Sequence, residues 1–333
     1  MRSYCGVYVD AGYLMAAASI RETGSSYRAA THVDVAGLLR ALSAQAATHS
    51  ALPLLRMHWY DAGARGVASA EQRQIATLPR VKLRLGRTSI HGEQKGVDLK
   101  LALDLITQAR NRVTDVVYLV SGDDDLTEAV EEAQHLGTQV VLLAIPDRDG
   151  RPINVSRNLQ MACDELLLVD ETALDAHVER ATPAEPAVAG EEPTGAVPEQ
   201  DRRDAPPARP TPALLAALAE HRAPAATPPR RLVARSSVPV YSSSTGQSTA
   251  AHDELDDDVE RAVTTVVENL LTSWWGSASV AAREAVLAGR PIIPQDLDRS
   301  LLLDLSAKLG VEELEPAARF RLREVFWERA EKL

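Results

Sequence analysis

Cysteine is scarce: the 333 residues carry two, Cys5 and Cys163, in apolar surroundings and without metal-type spacing. That excludes a disulfide-stapled scaffold and a thiolate zinc centre, and reads as two buried free thiols in a reducing, cytoplasmic setting. No uninterrupted apolar run nears the roughly 20 residues that span a bilayer. Asp10 interrupts the first hydrophobic stretch, so no secretory signal is expected. Positive charge is in deficit too. With 36 Lys and Arg against 47 Asp and Glu the net charge is −11, so no overall field draws the chain to polyanions. Such a partner needs a local basic patch or a bound cation. Phosphate-cradling glycine loops are also missing, which argues against P-loop nucleotide chemistry and a dinucleotide fold.

What is present divides the chain in three. Over residues 1–170, short β-rich runs alternate with helical stretches. Tyr4 to Val9, Leu54 to Tyr60, Val81 to Leu85, Val116 to Val120, Val140 to Ala144 and Leu166 to Val169 read as strands. Four of them are near-continuous apolar runs, as strands covered on both faces require. Val33–Ala47, Asp98–Arg110 and Leu126–Leu136 read as helices, the last closed by Gly137. This alternation predicts an α/β fold, a doubly wound parallel sheet.

Residues 171–255 hold twelve of the 19 prolines, with runs of Ala, Glu, Arg and Ser. A disordered linker is expected there, because such a composition buries too little apolar surface to offset chain ordering. Leu214–Ala219 reads as a short helix within it. From 256 to 333 a small all-α domain is expected. Val263, Val266, Val267, Leu270 and Leu271 form one helix face. A second helix capped by Ser277 ends at Gly289, a third runs from Pro294 to Leu309, and a fourth spans Glu315–Lys332. Trp274, Trp275 and Trp327 are expected to fill its core.

Open α/β sheets place their ligands at the carboxyl ends of the strands, and aspartates gather there. Asp10 ends the first strand. Val116–Val120 runs into Ser121-Gly-Asp-Asp-Asp125, and Lys95-Gly-Val-Asp98 opens a helix. Carboxylates converging on one edge repel each other unless a cation sits among them. Hard oxygen ligands suit Mg²⁺ or Mn²⁺. An aspartate at a helix start is often only a cap, so the coincidence on one edge carries the reading rather than any single residue. Asp104, six residues and about 600° beyond Asp98 on the helix, turns well away from it. With Ser121 it is expected to support the ligands rather than bind. Asp124 reads as solvent-facing, and His91 as incidental.

Val7-Tyr-Val-Asp10-Ala-Gly, Lys95-Gly-Val-Asp98-Leu-Lys-Leu-Ala-Leu-Asp104 and Ser121-Gly-Asp123-Asp-Asp125-Leu resemble, in order and spacing, the NYN domain of the PIN-like nuclease superfamily. The resemblance covers about residues 1–170. It implies a PIN-like fold and a divalent-metal-dependent endoribonuclease. Asp10, Asp98, Asp123 and Asp125 would be the catalytic, metal-binding set, with Asp104 a further acidic position. Many members carry an asparagine soon after the first aspartate, where this chain has Ala11-Gly12-Tyr13. The same stretch lacks the second aspartate of a haloacid-dehalogenase-like phosphatase.

The resulting expectation is hydrolysis of RNA, single-stranded, with Mg²⁺ or Mn²⁺ as cofactor. Asp10 and Asp123 would hold one or two ions, with Asp98 and Asp125 binding directly or through water. Arg80, Lys82, Arg84, Arg87, Lys95 and Lys100 supply a candidate RNA-binding strip, of which Arg80, Lys82 and Arg84 share one strand face. The competing reading is a catalytically silent RNA-binding or scaffolding module. Residues 256–333 carry fifteen acidic and ten basic side chains, which favours a protein-partner or homo-oligomer role over RNA reading, despite Arg319, Arg321, Arg323 and Arg329 on the last helix.

Overall fold

The apolar runs become the inner strands of a seven-stranded sheet in the computed structural model, which describes residues 3–64, 66–88, 94–182, 257–311 and 313–333. The strands are β1 (Cys5–Asp10), β3 (Leu54–Ala64), β4 (Val81–Thr88), β5 (Gln94–Lys95), β6 (Val116–Val120), β7 (Gln139–Ala144) and β8 (Glu165–Leu168). Their order is β5-β4-β3-β1-β6-β7-β8. Every neighbouring pair is parallel except β4 with β5. The expected α/β architecture is therefore present.

Side-chain alternation along β1 splits the core into two layers. Val7 and Val9 face one side, with α1 (Ala11–Thr23), α2 (Val35–Ser50) and α7 (Glu171–His177) supplying Leu14, Leu38, Leu42 and Leu174. Tyr8 faces the other, with α4 (Val97–Arg110), α5 (Thr127–His135) and α6 (Arg157–Ala162) supplying Leu101, Leu105, Val130 and Leu159. A fully buried side chain of this size contributes about 1.5–3 kcal/mol, so a polar residue in the middle of β1 would be costly. Its first partly exposed residue after the start is Asp10, at the edge. Helix α3 (Ala70–Thr77) opens with a reciprocal cap between Ser69 and Gln72.

Three features depart from the sequence pattern. Helix α1 follows Asp10 at once. Ala-rich and apolar around much of its circumference, it gives little amphipathic signal, yet Ala11, Leu14, Ala17 and Ala18 are buried. Regular structure also continues past 170, where the linker was expected to begin. Arg21, buried on α1, donates to Glu171 and Asp175 of α7. After α7, β9 (Val178–Arg180) pairs antiparallel with β2 (Thr31–Val33). Ser279, not Ser277, caps the second C-terminal helix. The Pro-rich segment from 183 to 256, with Leu214–Ala219 inside it, and His91 lie outside the described residues.

The C-terminal helices are α8 (Asp257–Ser277), α9 (Val280–Ala288), α10 (Gln295–Leu309) and α11 (Pro316–Ala330). Trp274 and Trp327 are buried in their core and Trp275 is half-buried against it. This bundle belongs to the same compact unit as the α/β domain. Asp304 of α10 is buried and accepts from Ser25 Oγ at 2.9 Å and from Ser26 N at 3.1 Å. Asn269 donates to the Gly24 carbonyl at 3.2 Å, and Tyr27 packs on the helical core. Removing the carboxylate strands two buried donors, so Asp304→Ala is expected to cost about 1–3 kcal/mol in urea denaturation. A variant as stable as wild type would mean that this contact does not hold the two parts together. Among the described residues no helix is long and apolar enough to cross a membrane.

Candidate functional site

Asp10 is both the last residue of β1 and the N-cap of α1. Its Oδ1 accepts from Gly12 N at 2.8 Å and Tyr13 N at 3.3 Å, and its Oδ2 accepts from Ser121 Oγ at 3.4 Å. Ser121 is fully buried, and its hydroxyl also accepts from Asp123 N at 3.3 Å. One serine thus ties the ends of β1 and β6 together. Asp123 in turn accepts from Asp125 N at 3.1 Å. Asp98 lies in the first turn of α4, after Gly96, whose φ of 77° is the left-handed conformation that glycine adopts without strain.

Electrostatics join these residues. Burial, reinforced by the Asp98 charge, pushes the Asp10 carboxyl up to about 6, although the Tyr13 and Gly12 amides and Arg28 favour the ionised form. Asp98 is raised by burial and then by Asp123 and Asp125. Asp123 is raised by burial and then by Asp125 and Asp124. Asp10, Asp98, Asp123 and Asp125 therefore share one electrostatic neighbourhood. It is a loose one: among the described residues no three His, Cys, Asp or Glu side chains stand close enough to enclose a metal ion.

The other acidic residues have different partners. Asp104 is gripped by Arg84, with Nε at 2.7 Å, and accepts from the Tyr60 hydroxyl at 3.0 Å. It serves the β3–β4 surface. Asp124, although exposed, accepts from Ser156 Oγ and from Asn158 Nδ2 at 3.3 Å, which fastens the loop after β7.

The basic strip divides. Register runs Asp10 to Tyr60 to Arg84, so Arg84 is level with the carboxylates but committed to Asp104. Lys82 is exposed two residues back. Arg80, with a φ of 63°, precedes β4 and is four residues back, about 13 Å from the edge. Lys100 donates to the Leu85 carbonyl at 2.7 Å. Arg87 and Lys95 pair through the backbones of β4 and β5.

Two residues at this edge were not foreseen. Asp61 follows the in-register partner of Asp10 on β3, so the strand-end argument could have found it. It accepts from Gln72 Nε2 at 2.7 Å. Arg28 donates to the Gly12 carbonyl at 3.0 Å and interacts with the charges of Asp10 and Asp61. No pattern in residues 24–32 marks it.

Residues 5–170 match the sequence pattern of the NYN domain. They belong to that family, a branch of the PIN-like nuclease superfamily. The family in general comprises nucleases. A stretch of 77 residues is 47% identical to the uncharacterized protein y4oD of Sinorhizobium fredii, covering 23% of this chain and 36% of that protein. The match thus spans about a third of the relative's length.

The raised carboxyls of the NYN domain have a measurable consequence. A group whose folded pKa lies above its unfolded value stabilises fully below the unfolded pKa, and that contribution is lost as pH rises through the folded one. In chelator, Asp10 should therefore cost wild type about 1 kcal/mol between pH 5 and pH 7 relative to Asp10→Asn, a comparison that cancels the opposite contribution of His58, whose burial lowers its imidazole to about 4. Thermal melts across that range test this. A difference between wild type and Asp10→Asn that does not change from pH 5 to pH 7 would contradict the raised Asp10 carboxyl.

Proposed function

We propose that this protein is a divalent-metal-dependent endoribonuclease that cuts single-stranded RNA at Asp10, Asp98, Asp123 and Asp125. The carrying observation is that three partly buried carboxyls, Asp10 and Asp123 following strands and Asp98 in the first turn of α4, are all held above their usual range, first by burial and then each by an acidic neighbour. A purely structural edge has no use for that repulsion, whereas a cation relieves it. The loose spacing fits Mg²⁺ or Mn²⁺, which are held by one or two carboxylates and retain most of their waters. Asp10 and Asp123 would hold the ion, with Asp98 and Asp125 reaching it directly or through water. When bound, the ion would acidify a water molecule and offset the negative charge that develops on the phosphoryl oxygens.

The chain's own residues do the rest. The Gly12 and Tyr13 amides and the Ser121 hydroxyl fix the Asp10 carboxylate, and the same hydroxyl accepts from the Asp123 amide. Lys82 and Lys100, exposed beside the edge, are available to the RNA backbone as phosphate contacts.

The test is incubation of the full-length protein with labelled single-stranded RNA in Mn²⁺, in Mg²⁺ and in chelator. Internal cleavage that requires the metal is expected. Cleavage that persists in chelator would overturn the metal role, and binding without cleavage in either metal would make the domain a silent RNA-binding module.

A further inference from the structure

Directly after β7 the chain folds back on itself, and Pro146 bridges antiparallel to Pro152. That register sets Ile145 opposite Ile153, and Ile153 N donates to the Ile145 carbonyl at 2.9 Å. In an antiparallel ladder such a pair exchanges both of its bonds. Here the Tyr13 hydroxyl takes the place of the second one. It accepts from Ile145 N at 3.3 Å and donates to the Ile153 carbonyl at 3.0 Å. The two arms are thus held apart by the width of one hydroxyl group from α1.

The far arm reaches the carboxylate edge. After Ile153 the chain turns at Asn154, whose φ of 47° lies in the left-handed region that asparagine tolerates. It then lies on the turn that carries Asp123. A Cβ at Gly122 would come within 1.9 Å of the Asn154 carbonyl oxygen, and Ser156 N donates to the Gly122 carbonyl at 2.9 Å. The Tyr13 ring packs on the same glycine, with a ring carbon 2.9 Å from that Cβ position. The Tyr13 amide, meanwhile, donates to Asp10 Oδ1 at 3.3 Å. One residue therefore meets Asp10 through its backbone, the Asp123 turn through its ring, and the clamp on that turn through its hydroxyl. Ser121 links the two aspartates directly, and Tyr13 links them by a separate route.

We propose that Tyr13 is a positioning residue for the carboxylate site: its hydroxyl spaces the loop after β7 so that Asn154 and Ser156 seat on Gly122, which fixes Asp123 relative to Asp10. This rests on Asp10 and Asp123 holding the metal, as proposed above, but not on RNA being the substrate. Phenylalanine at position 13 keeps the ring and the amide. It lets Ile145 N and the Ile153 carbonyl close on each other, which draws the far arm off the turn.

The experiment measures Mn²⁺ binding to the full-length protein by electron paramagnetic resonance, with thermal melts to verify folding. Tyr13→Phe should bind Mn²⁺ about three- to tenfold more weakly, less than the roughly 10- to 100-fold typical of a residue bonded directly to a ligand. Tyr118→Phe is the control. It deletes a hydroxyl bonded to His49 Nδ1 at 2.7 Å, in register with Val7 and so three residues, about 10 Å, before the edge. Its Mn²⁺ affinity should equal that of wild type. In chelator, hydrogen exchange at the Ser156 amide should quicken about tenfold in Tyr13→Phe and stay unchanged in Tyr118→Phe. A folded Tyr13→Phe with wild-type Mn²⁺ affinity, or an equal loss in Tyr118→Phe, would overturn the positioning role, and so would unchanged exchange at Ser156. Wild-type protein that takes up no Mn²⁺ would instead overturn the metal site itself, and the role of Tyr13 with it.

Discussion

Gly122→Ala should destabilise the protein by about 3–5 kcal/mol, among the largest effects of any single methyl group added to this domain. The reason is a close approach of chain to chain. A Cβ at Gly122 would lie 1.9 Å from the Asn154 carbonyl oxygen and 2.9 Å from a Tyr13 ring carbon. The Gly122 carbonyl accepts from Ser156 N at 2.9 Å, so the loop after β7 cannot simply lift. Tyr13 is anchored in turn, its hydroxyl donating to the Ile153 carbonyl at 3.0 Å. Gly96→Ala is the informative contrast, because a Cβ there meets nothing within 4 Å. Its cost comes only from the left-handed backbone, about 1–2 kcal/mol. Urea denaturation of both variants should show Gly122→Ala as the more severe. A Gly122→Ala protein within about 0.5 kcal/mol of wild type would contradict the packing described here.

Asp10→Asn should lower metal-dependent cleavage by at least about 100-fold, since changing even the partner of a metal ligand costs about 10- to 100-fold. In chelator near neutral pH the same variant should be more stable than wild type by about 1–3 kcal/mol. The gain arises because a neutral amide removes both the burial cost of the charge and its repulsion with Asp98. Asparagine caps helices as well as aspartate, so the bonds from the Gly12 and Tyr13 amides can persist. Asp10→Ala shares the relief of repulsion but gives up that cap, which returns about 1 kcal/mol. Cleavage assays with thermal melts on the two variants separate charge from capping. An Asp10→Asn variant that is active, or less stable than wild type in chelator, would remove Asp10 from a metal-binding role.

The sheet was legible because its chemistry is periodic. Val116–Val120 and the first strand are apolar at every position and end in acidic residues, and the fold places both at its centre. Helix α1 was not legible, since Ala11–Thr23 lacks a polar stripe when both flanks are covered. The β2–β9 ribbon was hidden by its three-residue strands, too short to show alternation. At the edge, Asp10, Asp98, Asp123 and Asp125 could be picked out by position. Arg28 and the Asp304 contact could not, because long-range pairing of a single charge or carboxylate leaves no local pattern. Arg84 and Asp104 are the converse case. Each reads as a candidate site residue, yet at 2.7 Å they chiefly satisfy one another.

The most direct test of the carboxylate site is binding of Mn²⁺ itself, followed by the loss of the free-ion signal in electron paramagnetic resonance. Wild-type full-length protein should take up Mn²⁺, and Asp10→Asn and Asp123→Asn should each bind it at least about tenfold more weakly while remaining folded. Mn²⁺ affinity unchanged in both variants would place the metal elsewhere and contradict the account.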